Sequence, residues 1–290
     1  MINRNTVTVL VLCLIAVLIS CSRQKQLTDE PLIAVSILPQ EWFVSRIGGD
    51  GVQTLVLAGP GQNPHNYEPT PRQIRSLSQA DAWILSGAEF ELSLRPKIEK
   101  LFPALPVIDG TAGVVFRMLE EHDHQEHDRH EHGIDRHTWL GSDPAKILAA
   151  HIRDTLCAID PAKTEQYEER YQLLIQDIDA EFAALRRELA PLRGSNVFVY
   201  HPSFGYFLDE FGIIQQAVET GGKSPGPRDL NRLIALALEE KPAAIFVQAQ
   251  FPAAAAKAVA DAVGAQIISL DPLAPDWLAN IRRMGNALKK

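Results

Sequence analysis

Cysteine is scarce in this chain of 290 residues, which has three: Cys13, Cys21 and Cys157. Cys13 lies inside an N-terminal apolar run and Cys21 at its end, so a chain processed there keeps one unmodified thiol and no intramolecular disulfide. The fold must then be held by core packing. Cys157 falls at an apolar position of a helical pattern and reads as a small buried hydrophobe. Basic residues are outnumbered, 28 Lys and Arg against 36 Asp and Glu, for a formal net charge of −8. That balance argues against nucleic acid as a partner, because phosphates demand a cationic surface, and mildly favours the collection of cations. Long hydrophobic runs are also missing. The one candidate, Val7 to Ile19, is shorter than the roughly 20 apolar residues a spanning helix needs.

That run, preceded by Arg4, has the make-up of a signal peptide over residues 1–20. Its end, Leu18-Ile19-Ser20-Cys21, resembles the bacterial lipobox, in which the cysteine is lipid-modified and becomes the mature N-terminus. Cys21 is accordingly expected to carry lipid, and residues 21–30 to form a polar tether. Removing the leader takes away Arg4 and no acid, so the formal charge moves from −8 to −9. The roughly 270 residues left exceed the usual size of one domain and suit two lobes with separate cores.

Short β-rich runs alternate with helical segments on both sides of one long amphipathic stretch, the pattern of two α/β units whose parallel-type sheets are flanked by helices. Strands are predicted at Leu32–Leu38, Gln53–Ala58, Ala82–Ser86, Val107–Ile108, Asn196–Tyr200, Ile213–Val218, Ala244–Val247 and Gln266–Leu270. Helices are predicted between them, one of them opened by Thr70-Pro71 and another by Asp143-Pro144. From Pro161 to about Ala190, the positions Tyr167, Tyr171, Leu174, Ile178, Phe182, Leu185 and Leu189 recur three or four residues apart, giving a helix one apolar stripe. At about 1.5 Å per residue it would be on the order of 45 Å long, a rigid linker between the lobes. The expected division is therefore an N-terminal α/β lobe over residues 31–160, a linker helix over 161–191 and a C-terminal α/β lobe over 192–290.

Three histidines stand in loops far apart in sequence: His65 in Pro64-His65-Asn66-Tyr67-Glu68-Pro69, His137 in His137-Thr138-Trp139, and His201 in Tyr200-His201-Pro202-Ser203. Asp271, in Leu270-Asp271-Pro272, follows a predicted strand, as do His65 and His201. Ligands of open α/β sheets bind where such loops converge at the carboxyl ends of strands. Two ligands from each lobe would put a metal in the interlobe cleft. Imidazoles with one carboxylate suit Zn²⁺, which takes four N, O or S donors. A further tract holds His122, His124, His127, His130 and His132 among acids and has no apolar periodicity. It is expected to be a disordered loop within residues 120–135 that captures metal weakly, losing affinity as its imidazoles protonate below about pH 6.5. His151, inside a predicted helix, reads as structural. Tyr67, Trp139, Tyr200 and Tyr206 flank the candidate ligands, where packing that orients the imidazoles and hydrogen bonding to a ligand carboxylate are both open.

Taken together, Pro64-His65-Asn66-Tyr67-Glu68-Pro69-Thr70-Pro71, Ala80-Asp81-Ala82, His137-Thr138-Trp139, His201-Pro202-Ser203-Phe204-Gly205-Tyr206-Phe207 and Leu270-Asp271-Pro272-Leu273 resemble the metal-specific solute-binding proteins of bacterial zinc and manganese ABC importers, the ZnuA type. The resemblance runs from about Leu32 to the C-terminus. It implies two α/β lobes joined by one long helix, a single metal held between them by His65, His137, His201 and Asp271, and delivery to a membrane permease. Manganese-type relatives usually carry a carboxylate at the third position, where this chain has His201. Three nitrogens and one carboxylate favour Zn²⁺ over Mn²⁺. A histidine-rich loop is likewise a habit of the zinc-type members. Gln248 departs from the glutamate that many relatives carry there.

The resulting expectation is a monomeric, lipid-anchored, extracytoplasmic zinc-binding component of an ABC importer, with no catalytic step. A manganese importer component, a zinc-storing adhesion lipoprotein and a zinc hydrolase are the alternatives. Against the last, the chain has no His-Glu-x-x-His pair.

Overall fold

The structure, a computed structural model, describes residues 30–119, 133–217, 227–240, 242, 244–248 and 254–289. The leader, Cys21, the tether to residue 29 and the histidines of the tract lie outside the described residues, and the expectations placed on them stay expectations. No helix among the described residues is long and apolar enough to cross a membrane.

The first lobe opens with β1 (Leu32–Ile37), α1 (Leu38–Gly48), β2 (Gln53–Ala58) and α2 (Pro71–Leu77), and continues with β3 (Ala82–Leu85), α3 (Glu89–Leu101) and β4 (Val107–Asp109). Two long helices follow, α4 (Ser142–Ile159) and α5 (Thr164–Glu188). The second lobe consists of β5 (Asn196–Val199), α6 (Gly205–Asp209), β6 (Ile214–Ala217), α7 (Pro227–Glu240), β7 (Ala244–Val247), α8 (Ala254–Val263), β8 (Gln266–Ser269) and α9 (Trp277–Leu288).

Each lobe is built on a four-stranded sheet, ordered β2-β1-β3-β4 in the first and β6-β5-β7-β8 in the second. Every pairing is parallel, with Ile33 opposite Thr54 and Ala82, and Phe198 opposite Gln216 and Ile245. Central strands of such sheets are covered on both faces, which is why Ile33 to Ile37 and Ala82 to Leu85 are continuously buried runs instead of alternating ones. Both sheets have the same strand order, so the second lobe repeats the topology of the first. In each, the chain passes from one side of the first strand to the other, leaving a crevice at the carboxyl ends.

Local signals set several helix starts. Thr70 and Gln73 form a reciprocal cap at α2, the Thr70 hydroxyl accepting from the Gln73 N–H at 3.3 Å while Gln73 Oε1 accepts from the Thr70 N–H at 2.9 Å. At the start of α1, buried Gln40 accepts from the Ser36 and Ile37 N–H groups and donates to the Ile84 carbonyl, tying β1 to β3. Helix α5 carries the expected stripe, with Tyr167, Leu174, Ile178, Phe182 and Leu185 buried. Its 25 residues span roughly 37 Å, less than the length read from sequence. Pro161 and Pro191 sit in 3₁₀ turns at either end, Pro161–Lys163 and Ala190–Leu192, so α geometry stops between them.

The expectation of separate cores is overturned. Among the described residues one contiguous cluster of buried side chains runs from β1 through α5 to α9, and only a small satellite that includes Phe198, Ile245 and Val259 belongs to the second lobe alone. The reason is α9, which leaves the second lobe and packs on the first. Trp277 lies 4.9 Å from Phe43 and 5.6 Å from Trp42 between ring centroids, and its indole N–H donates to the Trp139 carbonyl at 2.6 Å. Trp139 in turn donates to the Pro272 carbonyl at 2.9 Å. Close approach of α9 to α5 depends on Gly285, where a Cβ would stand 2.3 Å from a Leu185 methyl. Cys157 is partly buried against the same core, and His151 Nε2 meets the Ala112 carbonyl at 2.9 Å, a structural contact.

Candidate metal site

The loops at the carboxyl ends of both sheets turn toward one cleft. His65 arrives on the loop after β2, Glu89 begins the helix after β3, and His137 lies on the loop after β4. From the other lobe His201 follows β5, Gln248 follows β7, and Pro272 and Leu273 follow β8. His65, Glu89, His137, Trp139, His201, Pro272 and Leu273 line a shared cavity.

Three imidazoles converge there. A ligand nitrogen from each of His65, His137 and His201 lies within 4.8 Å of the others. His137 and His201 are almost fully buried, 7 % and 6 % exposed, whereas the His65 side chain is 27 % exposed and forms the solvent-side lip. Nε2 of His137 stands 3.3 Å from Nε2 of His201. Two ring nitrogens that close repel unless a proton or cation lies between them. A tetrahedral ion with metal–nitrogen bonds of about 2.0–2.1 Å sets its ligand atoms about 3.3–3.4 Å apart. The observed separation therefore matches one edge of a zinc tetrahedron.

Carboxylates fix two of the rings. Asp135, fully buried, accepts from the His137 backbone N–H at 3.0 Å and meets its Nδ1 at 2.8 Å through the same oxygen. An Nδ1–H held this way leaves Nε2 as the lone-pair donor, the usual arrangement of a metal-bound histidine. Glu89 Oε2 lies 3.1 Å from His65 Nδ1. Burial pushes the Glu89 carboxyl up, but the hydrogen bond and charge of His65, with a contribution from His137, outweigh it and bring the pKa down to about 2. The turn that presents Glu89 is held by Glu91, whose carboxylate accepts from Ser86 N–H and hydroxyl and from Gly87 N–H. Burial raises the pKa of Glu91.

The third ring is held through its backbone. Buried Gln248 accepts from the His201 N–H at 3.2 Å and donates to the His201 carbonyl at 2.6 Å and the Ser203 hydroxyl at 2.8 Å. The departure from glutamate thus supplies an amide donor toward the His201 carbonyl, which a carboxylate would oppose.

Asp271 is not a member of the convergent group. It follows β8, one of its oxygens accepts from the Leu273 N–H at 2.9 Å, and its carbonyl accepts from Asn280. Three of the flanking aromatics make packing or backbone contacts. Tyr67 packs edge-on against Phe90, and Trp139 lies 5.4 Å from the His137 ring while its N–H goes to a backbone carbonyl. Tyr206 instead donates its hydroxyl to the Asp135 carbonyl at 3.1 Å, and burial raises its pKa.

Asp135 and Glu89 were missed from sequence. An Asp-x-His step lets a carboxylate reach the backbone and ring two residues on, so Asp135 carried a faint local signal. Glu89 carried none, because its partner arrives from another loop.

A model of the family described as zinc-uptake complex component A, periplasmic, matches residues 33–290. The chain is 26 % identical over 264 residues to the zinc-binding lipoprotein AdcA of Streptococcus pneumoniae, with 88 % of this chain and 52 % of that protein covered. It thus spans about half the length of that curated relative. It is 26 % identical over 263 residues to the high-affinity zinc uptake system protein ZnuA of Yersinia pestis, covering 83 % of this chain and 82 % of that one. A crystal structure of ZnuA superimposes with a TM-score of 0.82 at 32 % identity, over 90 % of this chain and 98 % of the other.

Proposed function

From the premise that the chain belongs to the family of periplasmic component A of zinc-uptake complexes, we propose that it captures Zn²⁺ in the interlobe cleft and hands it to the membrane permease of an ABC importer. The observation that carries this reading is the convergence of His65, His137 and His201, with the Nε2 atoms of the two buried rings set apart by one edge of a zinc tetrahedron. Asp135 and Glu89 act behind the ligands, on Nδ1 of His137 and His65. The fourth donor on this reading is Asp271, which stands outside the convergent trio and would have to be drawn in when the ion binds. Its neighbours Pro272 and Leu273 line the cavity, which brings its segment to the site.

Three nitrogens and one oxygen favour zinc over manganese, a harder ion that prefers more oxygen. Four protein ligands leave no position for an activated water, so the site holds and releases its ion without a catalytic step. Two buried ligands and one at the lip suit one-sided entry and exit of the cargo. The protein acts as a monomer, tethered by lipid on Cys21, a reading supported by Leu18-Ile19-Ser20-Cys21. The tract His122, His124, His127, His130 and His132 gathers zinc weakly, a reading that rests on its composition.

The test is a competitive calorimetric titration of the chain from Ser22 onward, Zn²⁺ against Mn²⁺, with His137→Ala and with a variant lacking residues 122–132. One tight zinc site that survives loss of the tract, resists manganese and disappears in His137→Ala is the expected result. Tight binding that vanishes with the tract, or a preference for manganese, refutes the proposal.

A further inference from the structure

We infer that Arg117 is a positioning residue for metal capture, joining the carboxylate that orients His137 to the second lobe; the inference rests on the zinc-capture reading. Arg117 and Asp135 lie on two short segments that meet at an antiparallel bridge, Met118 with Ile134. The Arg117 side chain is 13 % exposed. Its Nε donates to Asp209 Oδ2 at 2.7 Å, while Nη1 lies 3.5 Å from Asp135 Oδ2, the oxygen that His137 does not use. Its backbone N–H donates to the Tyr206 hydroxyl at 2.8 Å, and that hydroxyl passes its own proton to the Asp135 carbonyl.

Asp209 and Tyr206 both belong to α6, the short helix that starts four residues after the ligand His201. Gly205 at its first position makes this contact possible. A Cβ there would stand 2.7 Å from the Arg117 guanidinium carbon and from Asp135 Oδ2. One arginine thus bears on both halves of the site: on His137 through Asp135, and on the segment of His201 through α6. A guanidinium has donors directed to several sides of one plane, so it can serve two carboxylates together where an ammonium acts as a point charge. Asp209 is half exposed, so the pair it makes contributes little to folding. Its placement instead bears on how the segments of His137 and His201 are set against each other around the ion.

The test measures zinc affinity by chelator competition, zinc release by stopped flow, and the visible spectrum of the Co²⁺-loaded protein, in the full chain from Ser22 onward. Arg117→Met removes the donors and keeps the stem. Its zinc dissociation constant is expected to rise about 10–100-fold, the range for losing a partner behind a ligand, and its cobalt bands to change. Arg117→Lys is expected to recover part of the affinity. Asp209→Asn, at an exposed position that tolerates substitution, is expected to speed zinc release while the cobalt bands persist. Affinity of Arg117→Met within twofold of the parent overturns the inference, as does equal loss in the Met and Lys variants with unaltered cobalt bands. Unaltered release in Asp209→Asn overturns the link between the lobes. His137→Ala separates the two levels. If it abolishes binding and Arg117→Met does not weaken it, the positioning role fails; if neither affects binding, the trihistidine site itself is wrong.

Discussion

Replacing Asp135 by Asn isolates the role of charge behind a ligand with almost no change of shape. In the native site one Asp135 oxygen accepts from both the His137 N–H and its Nδ1, and the other faces Arg117. An amide has one oxygen and one NH₂ group, so either orientation sets donor against donor. With the NH₂ toward His137 it opposes a backbone N–H, and the ring is driven to the tautomer with hydrogen on Nε2, the atom that should bind the ion. With the NH₂ toward Arg117 it opposes a guanidinium. Asp135 is fully buried, so water cannot relieve either clash. The zinc dissociation constant of Asp135→Asn should therefore rise about 10–100-fold, or about 1.4–2.7 kcal/mol. Chelator competition measures the affinity, and thermal melting of the metal-free protein shows whether the fold survives. A folded variant that binds zinc within twofold of the parent would refute the claim that Asp135 sets the donor nitrogen of His137.

Trp277→Ala empties the contact between α9 and the first lobe and should destabilise the metal-free protein by about 3–5 kcal/mol; if the lobes were independent, urea unfolding would instead show two transitions, one of them at the parent midpoint. Gln248→Glu puts a carboxylate where an amide donates to the His201 carbonyl and Ser203 hydroxyl. Protonated, the new acid can still donate. Burial and the facing His201 carbonyl raise its folded pKa above the ordinary carboxylate value, so its stability relative to the parent is retained at low pH and lost as pH rises from that ordinary value through the raised one. Melting temperatures of parent and variant that stay parallel from pH 4 to pH 8 would contradict this.

Much of the fold was legible because each strand is a short apolar run closed by Gly, Pro or a polar loop. Gln53–Ala58 and Ala244–Val247 stand where the sequence places them, and Ala82–Leu85 stops one residue early, at Ser86, whose N–H and hydroxyl are taken by Glu91. The three convergent histidines were legible for another reason. Each is an isolated imidazole in a Pro- or Trp-bearing loop, with His65 and His201 following strands, a place where core packing has no use for it. What failed to show was everything made by two distant segments at once. Trp277 has the sequence context of an ordinary amphipathic helix, and nothing local tells that it crosses to Phe43 and Trp42. Glu89 is one acid among 36 Asp and Glu until the loop after β2 brings His65 against it, and Asp135 offered only its place two residues before His137.

The same convergence bears on how such a site can release its cargo. A hinge between independent lobes would open the cleft by rotation, but here α9 is buried in the first lobe, and Trp139 is held at both ends, by Trp277 and by Pro272. Separation of the lobes as rigid bodies would break that core, at a cost of several kcal/mol for Trp277 alone. Motion at lower cost is confined to loops. His65 is the ligand on the least buried loop, and its ring is steadied by Glu89, which is itself 39 % exposed. Withdrawal of His65 removes one ligand and opens the lip while the pair His137 and His201 stays in place. On the proposed zinc-capture reading, cargo transfer would need a partner that competes for the ion at His65, the most exposed of the three rings.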